Sequence, residues 1–241
     1  MTYCVGLLLN DGMVLLSDTR TNGGFDNIAT YRKMYSFEEP GERVIAIMTA
    51  GSLSITQTTL ARLREAVEDA DATEATSILK APTMLKVASI IGGMLATVRN
   101  EVDEKLSAMA QGASASLIVA GQRRGGAMRL FLIYPEGNFI EATEDTPFLQ
   151  IGEHKYGKPI LDRVVKPTTS LHDAEKAVLL SMDSTLRSNL SVGMPLDLCV
   201  IERDACKVSR ARRIEPGDKA FQAMSEAWSR ALRDGFVKIS L

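Results

Sequence analysis

Two apolar runs, Thr2 to Leu9 and Met13 to Asp18, are separated only by Asn10-Asp11-Gly12. Asparagine, aspartate and glycine reverse the chain at little conformational cost, so these residues predict a β-hairpin at the start of the protein. After a loop containing Asn22-Gly23-Gly24, the pattern predicts a short strand at Lys33–Phe37, a turn at Glu38-Glu39-Pro40-Gly41 and a buried strand at Arg43–Ala50. Together these read as a β-meander. From Ser52 the period changes: Leu53, Ile55, Leu60, Leu63 and Val67 recur at helical spacing, as do Leu85, Ala88, Ile91, Leu95, Val98 and Val102 within a second helix from about Pro82 to Met109. Strands return at Ala115–Ala120, Met128–Tyr134 and Asn138–Ala142, read as a second antiparallel sheet. A helix over Ser170–Ser188, strands at Leu196–Glu202 and Arg210–Ile214 and a terminal helix over Lys219–Asp234 complete the chain. This order predicts an α+β sandwich with its sheets inside. With 241 residues, 45% of them apolar, and no repeat or linker, the expectation is one domain over 1–241.

Charge and cysteine content narrow the function. A formal net charge of −2, with dispersed basic residues, gives no nucleic-acid footprint. The chain has neither an apolar run long enough to span a bilayer nor a basic-then-apolar leader, which predicts a cytoplasmic protein with no membrane partner. Cys4, Cys199 and Cys206 form no CxxC motif, and His154 and His172 are the sole histidines, so neither a disulfide framework nor a zinc site is expected. Both histidines read as surface or loop residues. No metal or organic cofactor is predicted.

The second residue carries chemistry. Initiator methionine is trimmed when a small side chain follows, which would leave Thr2 with a free α-amine beside its hydroxyl. An α-amine has a pKa of about 7.7 to 8.0 and can take the proton of that hydroxyl near neutrality. Such a nucleophile needs a cation beside it, an anion to orient the cation, and an amide donor for a developing oxyanion. Antiparallel pairing permits Asp18, at the end of the hairpin, to return near Thr2. Lys33, beside apolar Met34 on the next predicted strand, would need a carboxylate if buried, and Asp18 can supply it. Arg20 offers a second positive charge. Ala50-Gly51-Ser52 marks a strand-to-helix junction where glycine allows close backbone approach.

Thr2, Ser17-Asp18-Thr19-Arg20, Lys33-Met34 and Met48-Thr49-Ala50-Gly51 resemble the nucleophile, Asp-x-Arg, Lys and Ala-Gly segments of proteasome β-subunits and of bacterial HslV. The opening Met1–Gly6 and the stretch from Asp26 to Met34 resemble more closely the bacterial proteasome-like family called Anbu. The resemblance implies the four-layer αββα sandwich of N-terminal nucleophile (Ntn) hydrolases. It also implies Thr2 as nucleophile, Asp18 and Lys33 as its supporting pair, the Gly51 amide as oxyanion donor, and Thr49 as a wall of the substrate pocket. Assembly into a ring or spiral of many copies is implied too. The chain departs from the proteasome pattern at Ile151-Gly152-Glu153, where Glu153 replaces a supporting serine, and at Arg187-Ser188-Asn189-Leu190-Ser191, where Ser188 replaces an aspartate and Ser191 matches the remaining serine. Glu153 or Ser188 is a candidate to compensate.

Cys4 shares a strand face with Thr2 and reads as a small core residue; using it as a nucleophile would require cleavage before Cys4. Gly92-Gly93 suggests a close helix approach, within the subunit or between subunits, and the surplus of apolar residues on the same helix, Met84, Val87, Ile90 and Met94, suggests subunit contact. The function expected is a self-compartmentalising threonine peptidase or amidase acting on a peptide or small amide through an acyl-enzyme. The alternative is an oligomeric binding or scaffold protein that keeps the proteasome-like shell with little or no hydrolysis.

Overall fold

The computed structural model describes residues 1–22, 28–106 and 113–240. Gly23, Gly24, Asp26, Asn27 and the end of the second predicted helix, to Met109, lie outside the described residues. The hairpin forms as β1 (Tyr3–Leu9) and β2 (Gly12–Asp18), with Cys4 opposite Ser17 and Leu9 opposite Gly12. A two-stranded ribbon, β3 (Arg20–Asn22) and β4 (Ile28–Thr30), separates it from β5 (Met34–Glu39) and β6 (Arg43–Gly51). Helices α1 (Leu53–Glu68) and α2 (Met84–Leu106) follow. The chain continues through β7 (Ala115–Arg123), β8 (Arg129–Ile133), β9 (Phe139–Glu141) and β10 (Phe148–Gly152). After a 3₁₀ turn at His154–Tyr156 come α3 (Lys158–Val164), α4 (Leu171–Ser188), β11 (Leu196–Glu202), β12 (Arg210–Ile214) and α5 (Lys219–Lys238).

One sheet has the order β10-β1-β2-β11-β12 and the other β5-β6-β7-β8-β9, both antiparallel between neighbours. The first fifth of the chain is therefore not one meander: β1–β2 and β5–β6 belong to different sheets. Likewise β7 to β9 extend the β5–β6 sheet through nine β6–β7 register pairs and form no separate one. Apolar runs reveal strands but not their neighbours, and the 19–33 segment carries the chain across from one sheet to the other.

Three apolar layers hold the stack together. Leu7, Val14, Leu16, Val178, Met182 and Val200 fill the space between the first sheet and α3–α5. Met13, Leu15, Met48, Ile118 and Leu130 interleave between the sheets, and Ile45, Ile47, Ile55, Leu63, Ile91 and Phe131 lie under α1 and α2. The result is a four-layer αββα sandwich, whose inner strands are apolar on both faces because both faces are covered. Ser170 and Asp218 start α4 and α5 by accepting the N–H of Asp173 and Phe221, at 3.1 and 2.9 Å. Within the subunit the Gly92-Gly93 expectation needs correction. Gly92 is approached by the β8–β9 turn, not by a helix: a Cβ there would sit 2.2 Å from Gly137 O, while Gly93 has nothing within 4 Å.

Candidate active site around Thr2

Three strands deliver the site. β1 begins one residue after Thr2 and pairs with the end of β10, Tyr3 opposite Gly152, and the Glu153 N–H donates to Thr2 O at 2.7 Å. Gly152 has φ +81°, and a Cβ there would fall 1.9 Å from Thr2 O, so only glycine lets the two segments come this close. Thr2 is buried at 7% exposure. Tyr3 anchors it from below: its hydroxyl lies 2.6 Å from Ser181 Oγ on α4 and accepts from Gln150 Nε2 at 2.6 Å. Burial pushes the Tyr3 hydroxyl up to about 12, opposed by those two hydrogen bonds.

Asp18, at the end of β2, is fully buried, and Lys33, just before β5, is 5% exposed. Their ion pair is 2.8 Å, from Lys33 Nζ to Asp18 Oδ1. The ammonium also donates to Arg20 O at 2.6 Å and to Met1 O at 3.3 Å, so three oxygens meet its three N–H groups. Asp18 further accepts the Tyr3 N–H at 3.1 Å on Oδ1 and the Gly193 N–H at 3.2 Å on Oδ2. Burial pushes the Asp18 carboxyl above its ordinary value, while the Lys33 ammonium and those two amides oppose the rise.

Arg20 turns away from this pair. Its guanidinium donates to Leu190 O at 2.7 Å and lies over Gly193, where a Cβ would sit 2.2 Å from Arg20 Nε. It braces the 189–193 loop, and that loop returns the Gly193 amide to Asp18. Sequence reading stopped at Ser188 and Ser191 and missed Gly193. Ser188 is exposed at the end of α4, and Ser191 donates its own N–H to Asn189 Oδ1 at 2.9 Å; neither lines the cleft.

The cleft itself, about 330 Å³, is lined by Thr2, Lys33, Thr49, Gly51 and Glu153, together with Thr21 and Thr56, which the sequence did not single out. Thr49 donates its N–H to Lys33 O at 2.9 Å, tying the pocket wall to the lysine strand. Gly51 has φ +104°, and a Cβ would fall 2.3 Å from Ser114 O, so the strand end at the cleft excludes any side chain. Cys4 is fully buried with Sγ 3.8 Å from Thr49 O, and burial drives its thiol well above its ordinary value, which makes it inert. Among the described residues no cluster of three His, Cys, Asp or Glu side chains gathers to hold a metal ion.

These features, a buried lysine–aspartate pair under the first threonine of an αββα sandwich, define a protein of the proteasome fold. The family model "Proteasome subunit" matches residues 2–201. A structure of an Anbu (Gly-1) mutant from Hyphomicrobium sp. strain MC1 is 47% identical, with a TM-score of 0.93 over 100% of this chain and 99% of that one. Anbu from Pseudomonas aeruginosa, described as a helical assembly of the Anbu complex, is 42% identical with a TM-score of 0.92 over 99% and 97% of the two chains. Anbu (ancestral beta-subunit) from Yersinia bercovieri is 39% identical with a TM-score of 0.91 over 99% and 98%. No curated protein matches. The chain belongs to the Anbu family of proteasome-like proteins.

Proposed function

We propose that the chain, one domain over 1–241, is a threonine-type Ntn hydrolase, a peptidase or amidase, that becomes active when Met1 is removed. The observation that carries this reading is the position of Lys33 Nζ. Two of its hydrogen bonds go to fixed oxygens, Asp18 Oδ1 and Arg20 O, and the third goes to Met1 O. Removing Met1 takes away that carbonyl, frees one ammonium N–H and creates the α-amine of Thr2 beside it.

In this mechanism the α-amine accepts the proton of Thr2 Oγ1 as that oxygen attacks an amide carbonyl in the cleft. Lys33, held by Asp18, stabilises the developing negative charge near Thr2, and the Gly51 N–H donates to the oxyanion. The tetrahedral intermediate collapses with transfer of the same proton to the leaving amine, giving an acyl ester on Thr2; water then adds, with the α-amine again as base, and the acid departs. Thr49 shapes the wall that meets the substrate side chain. Glu153 lines the cleft where the proteasome β-subunit pattern has a serine. The reaction requires no metal or cofactor. The described helices include none long and apolar enough to cross a membrane, and the proposed setting is the cytoplasm. By analogy with the helical assembly of the Pseudomonas relative, self-association encloses the clefts.

A second reading has one observation behind it. Ser188, standing where the proteasome pattern has an aspartate, is exposed and outside the cleft, as a scaffold with the shell and no hydrolysis would tolerate. Intact mass of the natively expressed protein, before and after a peptide epoxyketone, separates the two. Loss of Met1 and one adduct per chain, abolished by Thr2→Ala, supports the hydrolase. Retained Met1, or a free Thr2 that never reacts, sinks it in favour of the scaffold.

A further inference from the structure

The Thr2 cleft does not end at Gly51. Ala50, Gly51 and Gly152 also line a second hollow of about 370 Å³, and Leu132, Gln150 and His154 are common to that hollow and a third of about 300 Å³. The three hollows form one groove, which crosses between the two positive-φ glycines and continues along the outer side of β10.

β10 is the last strand of its sheet, and among the described residues no strand pairs with its outer edge. The Glu153 N–H donates to Thr2 O and the Leu8 N–H to Pro147 O. These two bonds set the parity: the odd-numbered residues turn their N–H and C=O toward β1, while Phe148 and Gln150 turn theirs outward. Of the edge strands of the two five-stranded sheets, β5 carries Glu38 and Glu39, β9 carries Glu141, and β12 carries Arg210, Arg212 and Arg213. β10 has no charged residue. Charge on an edge discourages the addition of a further strand, and this edge lacks that protection.

The facing sheet supplies a floor. Leu132 on β8 belongs to the apolar layer between the sheets, and Ile140 on β9 is its cross-strand partner, so the two share a face. Ile140 is nonetheless 47% exposed, because β10 ends the first sheet short of it. A strand laid beside β10 would cover Ile140 and continue the apolar layer.

We propose that this groove binds the leaving-group side of a polypeptide substrate as an added strand antiparallel to β10, so that the substrate is an extended chain and not a small amide. The inference rests on the hydrolase reading of Thr2. With Thr49 meeting the side chain before the scissile bond, the substrate runs past Gly51 and Gly152 toward Phe148, opposite in direction to β10. The Gln150 N–H donates to a substrate carbonyl, Gln150 O accepts a substrate N–H, and alternate side chains rest on Leu132 and Ile140. At about 3.4 Å per residue the edge accommodates roughly four substrate residues. Main-chain pairing supplies the affinity in this mode, and the floor selects apolar side chains at alternate positions.

The test is fluorescence anisotropy of a labelled five-residue peptide of alternating valine and threonine, titrated with the full chain. Saturable binding is expected, with Kd on the order of 100 μM or below. N-methylation of the alternate amides that face β10 should weaken binding about tenfold or more, and N-methylation of the intervening amides less than about twofold. Ile140→Asp, at an exposed position, should weaken the peptide by a similar tenfold while epoxyketone labelling of Thr2 is unchanged. In turnover with one fixed acyl part, kcat/KM should rise about tenfold or more from an anilide to a four-residue leaving side. No binding, equal sensitivity to both N-methylated series, or indifference to Ile140→Asp overturns the proposal, the last two giving the edge to some other contact such as a second copy. An epoxyketone adduct without peptide binding sinks the groove and spares the hydrolase. Peptide binding with a Thr2 that never reacts sinks the substrate role and leaves a peptide-binding edge.

Discussion

Among the described residues, Asp183 and Asp18 are both buried against a basic side chain, and their surroundings differ sharply. Asp183 on α4 takes Arg187 Nε at 3.1 Å and the Ser225 hydroxyl at 2.7 Å, and Arg187 in turn donates to Ser225 Oγ at 2.7 Å. That cluster staples α4 to α5, and the arginine keeps 58% of its side chain in water. Asp18 and Lys33, by contrast, are 0% and 7% exposed at their side chains. Desolvating both partners costs more than an apolar pair of similar volume would, so such a pair is a poor way to gain stability. The partly hydrated pair at Asp183 suits a structural joint. The dry one, whose lysine lines the cleft together with Thr2, suits chemistry.

The largest effect that would break this contrast belongs to Lys33. Lys33→Met leaves Asp18 buried without its cation and should cost about 3–5 kcal/mol in urea unfolding, with epoxyketone labelling of Thr2 lost. Adding Asp18→Leu should recover most of that stability without restoring the labelling; recovery of both would make the pair merely structural. Next comes alkaline pH. The Tyr3 hydroxyl, raised in the folded state from 10.0 to about 12, supports stability that is complete below pH 10 and lost as the pH rises through 12. The loss should reach roughly 3 kcal/mol, and Tyr3→Phe should abolish this window in pH-dependent unfolding. The smallest change is at the joint. Asp183→Asn keeps a hydrogen-bonding shape and should cost about 1 kcal/mol, with Thr2 labelling unaltered. A loss of labelling there would mean that α4 and α5 steer the site, and the contrast between the two aspartates would fail.

Strand and helix positions were largely legible because apolar runs and helical spacing follow from local burial. β11 and β12 begin and end where the pattern placed them, and α1 and α4 agree to within a residue or two. The terminal helix runs on to Lys238, past the Asp234 expected, because Gly235 lowers helix propensity without by itself ending a helix. β3, β4, β10 and α3 escaped notice, being three to seven residues long and without a full period to detect. In the site, Thr2, Asp18, Lys33 and Gly51 stood out as residue types in a meaningful order. Gly193 and Thr21 did not, since a backbone amide and a common hydroxyl leave no compositional mark.

Alternation of apolar residues, turn chemistry at Asn10-Asp11-Gly12 and the order of elements were determined by the amino-acid sequence itself, because each depends on neighbours within a few residues. Tertiary structure decided which strands pair, that Arg20 braces a loop 170 residues away, and that Asp18 and Lys33 lose their water together. Those outcomes depend on desolvation and on close approach between distant segments, and neither is a property of any stretch of chain taken alone.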